Sequence, residues 1–279
     1  MDTEHRRLPP ELQGEVFHSE PDTGTGVLVL SGSSGRVDAA RARLFASQGV
    51  TAMALRWFGG EGQVPGICEV PLETFFSAID YLVELGCKRL VLVGTSKGAE
   101  AALLAAVHDP RISAVVAMSP SSVVWGNIGP GRDGVNWPER SSWTLQGKPL
   151  PFVSSDPNWV REYRNGLVAY RGLFERCLHV HEPEIEAATI PLERTNARIL
   201  LVAGCDDVLW PSDKFAASIV RRRADSGLPT EIVLGETAGH RILLPGETTP
   251  RSSLHAHGGS HEADTELGRR AWEQILALL

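Results

Sequence analysis

The residues best placed to do chemistry are in Gly94-Thr95-Ser96-Lys97-Gly98-Ala99-Glu100, a G-x-S-x-G pattern. In a chain with 28 glycines the bare pattern arises easily by chance, so its flanks carry the argument. The apolar run Leu90-Val91-Leu92-Val93 leads directly in, and the helix-forming run Ala101-Ala102-Leu103-Leu104-Ala105-Ala106 leads directly out. A sharp strand-to-helix turn needs small residues on both sides of its serine. Such a turn lifts the Ser96 hydroxyl above the sheet and sets it at a helix N-terminus, where developing negative charge is favoured. The competing reading is a tight turn with an incidental serine.

A serine hydroxyl is a poor nucleophile until a base takes its proton, so a histidine oriented by a carboxylate should follow later in the chain. The acid candidates lie in Gly204-Cys205-Asp206-Asp207-Val208-Leu209-Trp210-Pro211, after the strand-like Arg198-Ile199-Leu200-Leu201-Val202-Ala203. Sites collect at the carboxyl ends of parallel strands. Asp206 and Asp207 both remain open. Position favours Asp207, with Asp206 bracing the loop or capping a turn.

Nine histidines compete for the base role, and His240, in Glu236-Thr237-Ala238-Gly239-His240, stands just beyond the last expected strand. His179 and His181 beside Glu182 and Glu184, and the group His255, His257 and His261, raise the idea of a metal site. Solvated polar residues are the simpler reading of both groups, so no metal and no cofactor is expected. His5, His18 and His108 have no supporting context. An oxyanion hole would combine the backbone N–H of Lys97 with one from the earlier turn Ser31-Gly32-Ser33-Ser34-Gly35, where Ser33 is the preferred donor. The Ser31–Gly35 turn fits neither G-x-G-x-x-G nor G-x-x-x-x-G-K-[ST], which disfavours nucleotide hydrolysis.

Short β-branched runs alternating with longer helical patterns predict α/β architecture with a mostly parallel sheet flanked by helices. The expected strands are 26–30, 51–55, 90–93, 113–118, 198–203 and 231–234, and the expected helices 38–48, 72–85, 98–107, 212–223 and 266–279. The alternation breaks between about Val124 and Ile190, in a segment rich in Gly, Pro and Ser that holds Trp125, Trp137, Trp143 and Trp159, four of the seven tryptophans. A stretch this long without its own pattern reads as a lid or binding loop, or as a surface insertion that packs its tryptophans on the core. The organisation expected is one domain over 1–279, with core segments 24–124 and 190–279 and a lid insertion of about 125–189.

With 27 Lys+Arg against 34 Asp+Glu the formal charge is −7, which argues against a nucleic-acid partner. The basic run Arg221-Arg222-Arg223 falls where a helix should end, and cations suit the dipole there. No stretch has the length of a membrane span, and Met1–Arg7 shows no apolar signal region, so a cytoplasmic protein without a membrane partner is expected. Cys68, Cys87, Cys177 and Cys205 have neither metal-ligand spacing nor disulfide density and read as reduced.

At these residues the chain resembles the α/β-hydrolase domain shared by acyl-CoA thioesterases and bile acid-CoA:amino acid N-acyltransferases, a group related to dienelactone hydrolases. The likeness runs through Ser31–Gly35, Arg43–Val50, the S-K-G-A-E of the elbow, Ile190-Pro191-Leu192-Glu193, the D-D-x-x-W of Asp206–Trp210, Glu236–His240 and Gly258-Gly259, and so covers about Gly24 to Leu279. It implies an α/β-hydrolase fold, with Ser96, Asp207 and His240 as catalytic triad. The implied partner is a small-molecule acyl thioester or ester, such as an acyl-CoA or a carrier-bound acyl group. Vertebrate members carry a β-sandwich domain before this one, whereas residues 1–25 precede the first expected core strand here. The resemblance associates a cysteine nucleophile with acyl transfer and a serine with hydrolysis, so Ser96 points to a serine acyl hydrolase. Transfer or cyclisation from the same acyl-enzyme, and a non-catalytic binding protein, are the alternatives.

Overall fold

Runs such as Leu90-Val91-Leu92-Val93 and Ala114-Val115-Val116-Ala117 have no polar face, so they suit strands covered by helices on both sides. In the computed structural model, which describes the backbone of Thr3–Arg6 and all of residues 8–248 and 250–279, they lie at the centre of an eight-stranded sheet. Its strands are β1 (Thr3–Arg6), β2 (Gln13–Ser19), β3 (Thr25–Leu30), β4 (Thr51–Arg56), β5 (Arg89–Thr95), β6 (Ile112–Met118), β7 (Arg198–Gly204) and β8 (Glu231–Gly235). The spatial order is β1-β2-β4-β3-β5-β6-β7-β8. From β4 across to β8 every pairing is parallel, and β1 and β2 add an antiparallel edge. The first core strand is therefore preceded by two strands that the polar, interrupted pattern of Gln13-Gly14-Glu15-Val16-Phe17-His18-Ser19 conceals.

Helices α1 (Ala39–Ala46), α2 (Glu73–Glu84), α3 (Lys97–His108), α6 (Ser212–Asp225) and α7 (His261–Leu276) cover the sheet. Phe45 of α1 and Leu267, Ala271 and Ile275 of α7 pack with Val29, Val93 and Val116 on one face. On the other face, Phe75 and Ile79 of α2, Leu103 of α3 and Ile219 of α6 pack with Leu28, Leu92 and Val115. Helix α7 starts five residues before its expected boundary because the Ser260 hydroxyl caps it, accepting from the Ala263 N–H at 3.1 Å. Arg222 and Arg223 fall in the last turn of α6, as expected, and Arg223 does more: it is buried and donates to the carbonyls of Leu192, Thr195 and Ala197.

Residues 119–197 separate β6 from β7 and carry more regular structure than their composition suggests. They include a hairpin of Glu162–Arg164 with Leu167–Ala169, then α4 (Arg171–Val180) and α5 (Glu182–Ala188), with Pro183 opening the last. Trp143 packs against Trp57 and Phe75, and Trp125 against Phe174 and Phe215, whereas Trp137 stays exposed. The four cysteines are free. Among the described residues, no helix is long and apolar enough to cross a membrane.

Candidate active site

Ser96 lies between β5 and α3 at φ 56° and ψ −121°, a conformation that L residues rarely hold without surrounding support. The support is visible. A Cβ on Gly94 would come within 2.2 Å of Gly98 O, and one on Gly98 within 2.3 Å of Leu30 O, so the two glycines let the turn close on itself and on the end of β3. The Ser96 N–H donates to Met118 O at 2.9 Å, joining the turn to the end of β6. A Cβ on Gly32 would sit 3.2 Å from Ser96 Cβ and 3.7 Å from its Oγ. The Ser31–Gly35 turn thus lies against the serine, with the exposed Ser33 beside that contact and the backbone of Lys97 opening α3 on the other side.

Asp207 and His240 come together from the loops that follow β7 and β8. His240 Nδ1 is 2.8 Å from Asp207 Oδ2, and since an ionised carboxylate only accepts, the Nδ1 proton donates. Asp207 is fully buried; its Oδ1 accepts the N–H groups of Leu209 and Trp210, and its Oδ2 also accepts the Ser212 hydroxyl at 2.6 Å. The histidine backbone is held at both ends. Its N–H donates to His257 O and its carbonyl accepts the Ser119 hydroxyl, both at 2.8 Å. Met118 and Ser119, consecutive at the end of β6, therefore bond to the serine turn and to the histidine loop respectively. Gly204 allows this convergence: a Cβ there would lie 2.2 Å from Ala238 O.

Asp206 points elsewhere. It takes a bidentate contact from Arg164 at 2.6 and 3.0 Å and the Gly259 N–H at 2.8 Å. Burial pushes its carboxyl upward, but these donors outweigh burial and hold it below the usual range. His181 lies 3.5 Å from Glu184, and His255 packs edge-on against Tyr170. His257 lies 5.6 Å, ring to ring, from His240. The side chain of His5 falls outside the described residues, as do the structures of Met1, Asp2 and Arg7.

Burial, reinforced by the neighbouring His240, Arg241, His255 and Arg251, pushes His257 from 6.5 down to about 3. The sign follows directly: between these values an unfolded chain binds a proton at His257 that the folded chain refuses, so stability falls as pH drops below about 6.5. Urea unfolding of the wild type should show this loss between about pH 7 and pH 5, and His257→Gln should flatten it by up to one proton of slope. An unchanged slope in the variant would exclude His257 as its source.

Sequence reasoning missed Ser119, Ser212 and the side chains of Lys97 and Glu100. Lys97 Nζ donates to both Glu100 oxygens at 2.8 and 2.7 Å, and the pair is almost wholly buried. Glu100 Oε1 also accepts the Trp125 N–H at 3.1 Å and the Trp143 Nε1–H at 2.7 Å, binding the 119–197 segment to the serine turn. Burial lowers the Lys97 pKa, with Glu100 pulling in the opposite direction. The available signal was an i,i+3 charge pair at the start of an otherwise apolar helix, and such a helix is buried all round. Glu100→Ala should destabilise the fold by about 3–5 kcal/mol by stranding a buried ammonium. A Lys97→Met/Glu100→Gln double variant, which removes both charges and keeps an acceptor for the two tryptophan donors, should recover much of this in urea melts; a single-variant cost near zero would contradict it.

The family model described as BAAT / Acyl-CoA thioester hydrolase C terminal matches residues 70–279. The chain belongs to this family. Human acyl-coenzyme A thioesterase 1 is 27% identical over 95% of this chain and 62% of its own length. Human mitochondrial acyl-coenzyme A thioesterase 2 is 27% identical over 98% of this chain and 58% of its own. The chain thus spans about three fifths of the length of these relatives. Among solved structures, a putative dienelactone hydrolase from Klebsiella pneumoniae subsp. pneumoniae superposes with a TM-score of 0.55 at 16% identity, covering 96% of this chain and 92% of its own. A monoacylglycerol lipase from Paleococcus ferrophilus gives a TM-score of 0.51 at 19% identity, with full coverage of both chains. The fold is that of the α/β-hydrolases, as the resemblance implied. Membership of the family rests on a match that contains Ser96, Asp207 and His240 but begins after Ser33.

Proposed function

We propose that the protein is a serine hydrolase of acyl thioesters or esters, with acyl-CoA thioesters as the first substrate class to test. The observation that carries this reading is the buried Asp207–His240 pair, brought by β6 to the same sheet edge as a serine in a strained strand-to-helix turn. Membership of the family, and relatives whose names describe acyl-coenzyme A thioesterases, supply the substrate class.

In this mechanism Ser96 Oγ attacks the acyl carbon while His240 Nε2 takes its proton. Asp207 holds the proton on Nδ1, keeping Nε2 free to act as base. The oxyanion is received by the N–H groups of Lys97 and Ser33, each of which should contribute about 3–4 kcal/mol to lowering the barrier. Collapse of the tetrahedral intermediate breaks the bond to the leaving thiol or alcohol, which takes the proton from His240. Water then attacks the acyl-enzyme, again losing its proton to His240, and free acid leaves with Ser96 restored. The segment at about 125–189 acts as the lid that bounds the acyl pocket.

Intact-mass spectrometry after brief exposure to a panel of acyl-CoA, carrier-bound and simple ester substrates tests this. An acyl adduct on Ser96 that decays to free acid is the expected result. The absence of any adduct and of turnover across the panel would overturn the reading. Release of free acid as the sole product in the presence of an amine acceptor separates hydrolysis from transfer.

A further inference from the structure

Arg41 lies on α1, the helix reached from the turn that carries Ser33, and its guanidinium is buried away from bulk water. It bonds to two other segments of the site. Its Nη1 donates to Thr95 Oγ1 at 2.7 Å, and Thr95 immediately precedes Ser96. Its Nη2 donates to Ile242 O at 3.3 Å, two residues beyond His240, and to Glu247 Oε2 at 2.7 Å, while Nε donates to Glu247 Oε1 at 2.6 Å. Glu247 is fixed within that same loop, because its Oε2 also accepts the Leu244 N–H at 2.9 Å. The Arg41 and Glu247 side chains are each 7% exposed.

A buried ion pair is a poor way to gain stability, since apolar side chains of similar volume usually serve as well or better. What the guanidinium provides instead is geometry: a rigid, planar fork whose donors point in fixed directions. Here one arm ends on the serine turn, and the opposite edge ends on the histidine loop. The third attachment is the helix following the oxyanion turn, where Ser31 Oγ donates to Arg36 O and closes the loop.

We propose that Arg41 is a positioning residue that sets the separation of Ser96 and His240 through Thr95 on one side and Ile242 and Glu247 on the other. This rests on the reading of Ser96 and His240 as nucleophile and base. Arg41 touches no reacting atom. Its effect is to keep the two loops in register through each proton transfer, a step steeply sensitive to small displacements.

Thr95→Val and Arg41→Lys test the assignment. Thr95 is half-buried at the end of a strand, where valine fits, so this variant removes one acceptor and little packing. Arg41→Lys keeps the charge and removes the fork. The measurements are the rate of Ser96 modification by a fluorophosphonate, followed by intact mass, with kcat and KM for the substrate found by the panel and the melting temperature. Thr95→Val should lower both the modification rate and kcat by about 10-fold, and Arg41→Lys by about 100-fold, as expected for misplaced reacting groups. KM should stay within about twofold, a split that a loss of substrate binding does not produce, and expressing kcat per molecule that the fluorophosphonate modifies at completion removes any unfolded fraction. A folded Thr95→Val protein with wild-type modification rate and kcat overturns the proposal, whether or not Arg41→Lys folds. Failure of the fluorophosphonate to modify Ser96 in the wild type overturns the nucleophile reading, and this proposal with it.

Discussion

Replacing Ser96 with alanine is expected to lower kcat by about 10⁴–10⁶-fold, the scale seen when a triad nucleophile is removed. The fold should survive. The turn is held by the Ser96 N–H bond to Met118 O and by the close approach of Gly94 and Gly98, neither of which uses the hydroxyl. Alanine at φ 56° inherits the same backbone strain, so neither relief nor further strain is expected. Residual turnover would come from the oxyanion donors and substrate binding. Release of free thiol from the thioester, measured alongside thermal melts, checks both halves of the statement. Turnover within about tenfold of wild type in a folded variant would remove Ser96 from the mechanism.

Asp207→Asn should cost about 10³–10⁴-fold in kcat, with a cause that can be followed atom by atom. Oδ1 accepts two backbone N–H groups, so the asparagine carbonyl takes that place and its NH2 falls at the Oδ2 position. There it meets the Ser212 hydroxyl, which can rotate, and His240 Nδ1, which is then forced to accept. The proton moves to Nε2, and the base loses its lone pair toward Ser96. Asp206→Asn is the matched comparison. Its partner Arg164 is largely solvent-exposed and the pair should contribute no more than about 1 kcal/mol, so the loss of kcat should stay below about tenfold. The reverse order of severity between the two variants would transfer the acid role to Asp206.

Much of the architecture is readable because its causes are local. A strand buried on both faces must be apolar throughout, and the expected 90–93 and 198–203 lie within β5 and β7. The serine turn is likewise a seven-residue pattern whose glycines answer to steric contacts within a few ångströms. Strand β2, second from the edge of the sheet, escaped notice because Gly14 and Glu15 interrupt its apolar run. The 119–197 segment escaped because its order depends on distant partners: Trp143 on Trp57 and Phe75, and the segment as a whole on Glu100.

Residue order sufficed for the fold class, the serine turn and the short set of acids and histidines worth considering, since each follows from the size and polarity of neighbours along the chain. Packing in three dimensions did what adjacency cannot. Asp206 and Asp207 are consecutive, yet one meets Arg164 and the other His240, a distinction set by the direction in which the loop leaves β7. Arg41 sits in a short helix with nothing nearby in sequence to distinguish it from a solvated arginine, and its meaning comes from Thr95 and Glu247, 54 and 206 residues away. Such contacts form only once the sheet has brought its carboxyl ends together, because fixing remote groups against each other requires the buried core to hold them there.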